Sequence, residues 1–190
     1  LIAEVIATSK LTKVAATKVV EEAIDRWVWY AGWSDKLASI FGATNQVSGP
    51  YYNFTIPEPQ GVVVVTADSF LSFVDAIAPV LCGGNTAVAL VGGNAAIPVM
   101  TFAEILATSD VPAGVINILT GSLEELTPWA ASHMDVDGLD ITAIQVKQRA
   151  ALIESAAENL KRVHAFDKAY TPHRILSWME AKTVWHPIGV

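Results

Sequence analysis

At 190 residues, 52% apolar and 16% charged, the chain can bury one substantial core and is too apolar for disorder. A net charge of −7 argues against a nucleic-acid binder, which needs a basic patch, and a single cysteine excludes an intrachain disulfide framework and suits a reducing, cytoplasmic setting. Mean hydropathy is +0.40 without any uncharged apolar run of about eighteen residues, so no membrane span is expected; the excess is assigned to a buried parallel sheet and a subunit interface.

The chain opens at Leu1 without Met or a signal pattern, as a fragment of a longer protein would. Residues 1–9 are apolar and of ambiguous state. The spacing predicts a helix over 13–33, with Val20, Ala23, Ile24, Trp27 and Ala31 on its inner face. Residues 41–59, rich in Gly, Pro, Asn and Tyr, read as loop with an extended piece near 51–56, and Pro57 and Pro59 are expected to stop strand pairing short of Gly61. The β-branched run at 61–66 is a strand suited to burial on both faces. Phe73, Val74, Ile77, Ala78 and Leu81 recur at helical spacing until Gly83-Gly84. A second buried strand follows at 85–91, then the Gly92-Gly93-Asn94 turn, a helix over 95–107, and a third strand over 115–119. Strands joined by helices imply a parallel sheet covered on both faces, an α/β doubly wound layout. Beyond it, Ser122 to Glu125 has the pattern of a capping box before a short helix, a fourth strand is expected over 136–142, and Thr142 to Gln145 repeats the box before a helix over 146–163 with Leu152, Ile153, Ala156, Leu160 and Val163 inward. A loop over 166–173, a short helix over 175–178 and a terminal strand over 182–186 complete the chain.

Candidate chemistry gathers where the strands end. Thr66, Asp68 and Ser69 follow the first strand, where such layouts contact ligands, and the Gly92-Gly93 turn opens a helix whose amides suit phosphate. That turn is neither GxGxxG nor a P-loop, and a plain tight turn is the competing reading. His133, Asp135 and Asp137 are compatible with a metal, but also with a solvated turn, and no metal site is assigned. Cys82 reads as a buried structural thiol. His164, His173 and His186 read as surface or interface residues, and Asn53-Phe54-Thr55 as an unused glycosylation pattern.

Several segments, in order, resemble the aldehyde dehydrogenase superfamily. Trp29 through Leu37 is similar to its YYAGWADK segment, Glu58 through Val62 to EPxGV, Ile77 through Thr86 to IAPALCCGNT, Val111 through Gly121 to PPGVVNIVPG, and His133-Met134-Asp135 with Asp137 to HMDID. The resemblance implies a Rossmann-like cofactor domain, here placed at 1–163 with an excursion near 41–59, and a small β oligomerisation element in 164–190, where 181–189 resembles the family's subunit-joining C-terminal strand. It also implies NAD(P) as cofactor. The departures bear on function. Where the family has PWNFP, with its oxyanion-stabilising Asn, the chain has Thr66-Ala67-Asp68-Ser69-Phe70, with Ser69 near the Asn position. Leu90 and Gly93 stand where a Lys and a Glu would hold the ribose, so NAD is expected to bind weakly or not at all. The FTGS loop is reduced to Ile141-Thr142-Ala143, Cys82 aligns with a structural cysteine, and the segment carrying the nucleophilic cysteine and base glutamate is not found.

The chain is therefore identified as a short, catalytic-domain-lacking member: a non-catalytic subunit, scaffold or partner in a homo-oligomer or in a hetero-oligomer with a full-length aldehyde dehydrogenase. Two alternatives stand beside it. One is a dinucleotide-binding regulatory module using Asp68, Ser69 and the Gly92-Gly93 turn; the other is an NAD(P)-dependent enzyme whose catalytic segment is missing from this sequence. The terminal strand is expected to pair with a sheet in another subunit, against the alternative that it folds back onto its own domain.

Overall fold

The computed structural model describes residues 1–167 and 170–189. Helices α1 (Ile2–Ser9), α2 (Lys13–Ala31) and α3 (Leu37–Phe41) lead into strands β1 (Ala43–Asn45) and β2 (Tyr51–Pro59). The central run is β3 (Val62–Ala67), α4 (Phe70–Cys82), β4 (Thr86–Val91), a 3-10 turn (Gly93–Ala95), α5 (Ala96–Ala107) and β5 (Ile116–Thr120). Then come α6 (Leu123–Ser132), β6 (Gly138–Asp140), α7 (Val146–Ala157), β7 (Arg162–His164), α8 (Pro172–Leu176) and β8 (Met179–Pro187).

Five strands form one parallel sheet in the order β5-β4-β3-β6-β7, confirming the α/β layout expected from the strand–helix alternation. Strand periodicity divides the core. Val63, Val65 and Ala67 point to one face, under Phe73, Val74 and Ile77 of α4 and Ala16, Val20 and Ala23 of α2. Val64 points to the other, with Leu90, Leu139 and Ile141, under Ala131 of α6 and Leu152 of α7. A third cluster joins Tyr30, Leu37 and Ala78 to Ile175 and Met179, so the C-terminal stretch closes one end of the core.

The second sheet, antiparallel, has the order β1-β2-β8. Here two expectations are corrected. The terminal strand pairs with β2 of its own chain, from Tyr51↔Pro187 to Pro59↔Met179, and not through that edge with another subunit. Its partner was hidden because β2 lies more than a hundred residues away and carries two prolines. The ladder nonetheless runs through Pro57 and Pro59. The bonds bracketing it, Gln60 N–H to Trp178 O and Ile188 N–H to Pro50 O, fall at even positions. The odd positions turn their nitrogens to the other side, where β1 has already ended opposite Thr55, so the missing N–H groups break no bond.

Other local expectations also shift. Helix α7 stops at Ala157, Leu160 adopts φ 56 and is exposed, and Val163 belongs to β7, a fifth strand that the helical reading of 146–163 absorbed. Ile24 and Ile153 face solvent rather than the core, while Arg26 and Tyr30 are buried. Neither expected capping box forms: Ser122 makes no side-chain cap, and the Thr142 hydroxyl instead accepts from Phe166 N–H at 3.0 Å. The box that does form joins Ser69 and Ser72 at the start of α4. The expected loop over 166–173 lies partly outside the described residues.

Candidate functional site

The chain runs outward from β3 through β4 to β5, then returns to place β6 on the other side of β3. Loops therefore diverge at the carboxyl ends of β3 and β6, leaving a crevice where doubly wound sheets commonly receive ligands. A cavity of about 320 Å³ lies there, lined by Thr66, Asp68, Ser72, Asp75, Thr142 and Arg174 among others.

The five residues singled out for cofactor binding lie in this neighbourhood, each already engaged within the fold. The Thr66 hydroxyl, buried, donates to Asp140 O at 2.8 Å and so ties β3 to β6. Asp68 accepts from the Ser72 hydroxyl at 3.1 Å. Ser69 caps α4, its Oγ accepting from Ser72 N–H at 3.2 Å. Gly92 N–H donates to Ala67 O at 2.9 Å. Gly93 takes φ +56 and passes so near the first loop that an added Cβ would lie 3.4 Å from Asp68 O. A Cβ on Gly92 would lie 3.0 Å from the Leu123 side chain and 3.1 Å from Gly121 O, so this turn packs closely against the start of α6. Leu90, on the ribose side of the resemblance, is buried in the apolar core and presents no polar group.

Two ion pairs that the sequence reading did not isolate shape the crevice. Arg174 pairs with Asp140 at 3.2 Å, both essentially without solvent exposure, and lies over the Phe166 ring 4.4 Å from its centroid. Burial pushes the Asp140 carboxyl up, opposed by the Arg174 charge and by the Thr142 N–H bond. Arg26 pairs with Asp75 at 3.1 Å and with Glu22 at 2.6 Å under the Tyr170 ring. The available signal was a charge inside an apolar pattern, Asp140 in the run over 138–141 and Arg26 on the inner side of α2, since a buried charge requires a partner.

Asp75 yields a pH prediction. Burial pushes its carboxyl up to about 6 from 3.8, and Arg26 only partly opposes this. The folded chain thus holds a proton that the unfolded chain releases from about pH 4. This contribution favours the fold below pH 4 and is lost as pH rises through 6. Asp75→Asn is expected to stabilise the chain by about 2 kcal/mol at pH 8, with little difference at pH 4: at ~1.4 kcal/mol per tenfold difference in proton affinity the full effect would be about 3 kcal/mol, reduced because the carboxyl keeps some contact with solvent. Urea unfolding at the two pH values measures it; a variant less stable than the parent at pH 8 would show that the Arg26 pair outweighs burial.

Elsewhere, His133 and Asp137 are engaged separately: His133 Nδ1 accepts from Asp135 N–H at 3.2 Å and Asp137 Oδ2 from Val62 N–H at 2.8 Å. Among the described residues no group of three His, Cys, Asp or Glu is arranged to hold a metal ion, and no helix is long and apolar enough to cross a membrane. Cys82 is half-buried, its Sγ donates to Tyr30 O at 3.2 Å, and burial pushes the thiol up to about 11. On the opposite face of the sheet an apolar groove of about 360 Å³ runs between α6 and α7, lined by Leu123, Thr127, Pro128, Ile144, Ala151 and Leu152 among others. Leu123 also touches Gly92, so this groove begins beside the glycine turn.

Comparison with known proteins agrees with this architecture. The model of the aldehyde dehydrogenase family matches residues 2–175. Human retinal dehydrogenase 2 is 36% identical over 140 residues, 71% of this chain and 26% of that protein. An aldehyde dehydrogenase of Emericella nidulans is 30% identical over 138 residues, 71% of this chain and 27% of its own length. The chain thus spans about a quarter of these curated relatives. Among solved structures, a point mutant of Staphylococcus aureus betaine aldehyde dehydrogenase in complex with NAD+ superposes with a TM-score of 0.78 at 20% identity, covering 85% of this chain and 32% of that one. HpcC from Thermus thermophilus gives 0.78 at 23%, covering 86% and 32%. At these identities the likeness establishes the fold alone.

Proposed function

This chain belongs to the aldehyde dehydrogenase family, and from that premise we propose that its 190 residues act as a non-catalytic subunit, a cofactor-domain scaffold that docks through its antiparallel sheet onto a second copy or a full-length aldehyde dehydrogenase. The observation that carries the reading is the state of the lone thiol. Nucleophilic catalysis needs a thiolate with a base at hand. Cys82 sits within the fold and donates to a backbone carbonyl, and burial pushes its thiol up to about 11, so the thiol form dominates at neutral pH. The Ser69 hydroxyl, near the family's oxyanion position, is turned into the α4 cap.

The purified chain is therefore expected to form no NADH from aldehydes, with or without Cys82→Ala. Turnover abolished by that substitution would make Cys82 a nucleophile and end the proposal; turnover that survives it would place the chemistry on another residue.

A second reading is favoured by the groove between α6 and α7. An apolar slot of this size beside a glycine turn suits the base of a nucleotide, as in a dinucleotide-binding regulatory module. A third, a working NAD(P)-dependent enzyme whose nucleophile lies outside these residues, accords with the quarter-length match to the relatives, and the intact mass of the source protein separates it from the other two.

A further inference from the structure

Relatives of this fold include an enzyme in complex with NAD+, and a dinucleotide brings a diphosphate to the crevice at the switch point of such a sheet. A diphosphate needs free amide donors at a helix start or cationic side chains. Among the described residues, the amides that open α4 and the cations of Arg174 and Arg26 are all engaged. At the start of α4 the Ser72 hydroxyl accepts from Asp68 N–H at 3.2 Å and from Ser69 N–H at 3.0 Å, while Ser72 N–H is bound by Ser69 Oγ. The Asp68 carboxylate, exposed, stands over the same turn. Arg174, on the crevice wall, pairs with Asp140 beneath it, and Arg26 is shared by Asp75 and Glu22. Among the described residues, Asp68, Asp75 and Asp167 line the cavity with the single cation of Arg174.

We infer that this crevice excludes the diphosphate of a dinucleotide by its reversed charge and committed amides, so that NAD+ binds the chain no tighter than adenosine does. The family's cofactor and this chain's residues thus disagree at the place where the fold would bring them together. The inference does not depend on whether the chain oxidises aldehydes, and its test reads binding alone.

The test follows backbone amide shifts of the 190-residue chain at low ionic strength during titration with inorganic pyrophosphate, NAD+ and adenosine. Pyrophosphate is expected to give no saturating shift at Thr66, Asp68, Thr142 or Ala143 at millimolar concentration, and NAD+ to move only the amides that adenosine moves. Asp68→Asn with Asp167→Asn removes two carboxylates and keeps the acceptor for Ser72. This pair is expected to bring pyrophosphate onto those four amides at least about fivefold more tightly. Should that pair fail to fold, Asp167→Lys, on an exposed residue, is expected to act in the same direction. Saturating pyrophosphate shifts at these amides in the parent chain overturn the inference. So does a folded neutralised variant that binds no better, because charge would then not be the barrier.

Discussion

Replacing Arg174 with Met is expected to cost the chain about 3–5 kcal/mol at neutral pH, the usual penalty for stripping one partner from a buried ion pair. Asp140 has no solvent exposure, and the change leaves its carboxylate held by Thr142 N–H at 2.8 Å without its cation. Met keeps the apolar length against Phe166, so the loss reports charge more than packing. Two controls follow. Arg174→Met with Asp140→Ala removes both charges and is expected to regain most of the loss, since a buried pair contributes little net once both partners are gone. The deficit is also expected to depend on pH. Without Arg174 the Asp140 carboxyl, already pushed up by burial, rises further. The folded variant then takes up a proton that the unfolded chain lacks, so its deficit is smaller at pH 5 than at pH 8. Urea unfolding of the parent, both single variants and the double variant measures the coupling. A double variant no more stable than Arg174→Met would show that Arg174 acts through packing.

This pair also shows where the sequence was legible. The run from β3 to β5 could be read because each strand is a β-branched or alanine-rich stretch and each turn carries glycine or proline: Gly83-Gly84, Gly92-Gly93, Pro112 with Gly114. The register of two-sided burial followed directly, Val63 and Val65 to one core and Val64 to the other. The end of α7 was not legible, because Ala157 to Leu160 contains neither Gly nor Pro and the left-handed turn falls on Leu160. Nor was the partner of Asp140. Arg174 lies 34 residues further on, and only the packing of α8 against α4 brings it over β6. Thr66, Asp68, Ser69, Gly92 and Gly93 lie at or just beyond the carboxyl ends of β3 and β4. What the pattern could not convey is that Thr66, Ser69 and Ser72 spend their hydrogen-bonding groups on the fold itself.

Removing residues 183–190 is expected to lower the molecular mass of the assembly while leaving the five-stranded sheet folded. Strand β8 pairs with β2 on one edge only, and β1 covers just the stretch from Asn53 to Thr55 on the far side of β2. The free edge of β8 is a row of backbone groups that proteins normally cover. At this end of the sheet Trp185 stands against Tyr51 on one face and Tyr52 lies on the other, all substantially exposed, with Trp185 at 58%. Such an uncovered aromatic group beside an open edge is the kind of surface another chain buries. One face carries a polar row, Asn45 to Asn53 and Thr55 at 2.6 and 2.9 Å and Thr55 to Thr183 at 2.9 Å, which can fix register across the three strands. The truncation removes pairs from Tyr51↔Pro187 to Thr55↔Thr183 and leaves those from Ile56↔Lys182 to Pro59↔Met179. None of the three core clusters draws on residues 183–190, so the body is expected to persist. Trp185→Ser tests the same surface with the ladder intact. An exposed aromatic anchor is worth about 2 kcal/mol to an interface, or roughly a thirtyfold rise in dissociation constant. Light scattering across a dilution series reads both variants. An unchanged mass in both would remove the antiparallel sheet as a docking surface, whereas a folded, dissociated Trp185→Ser chain would establish it.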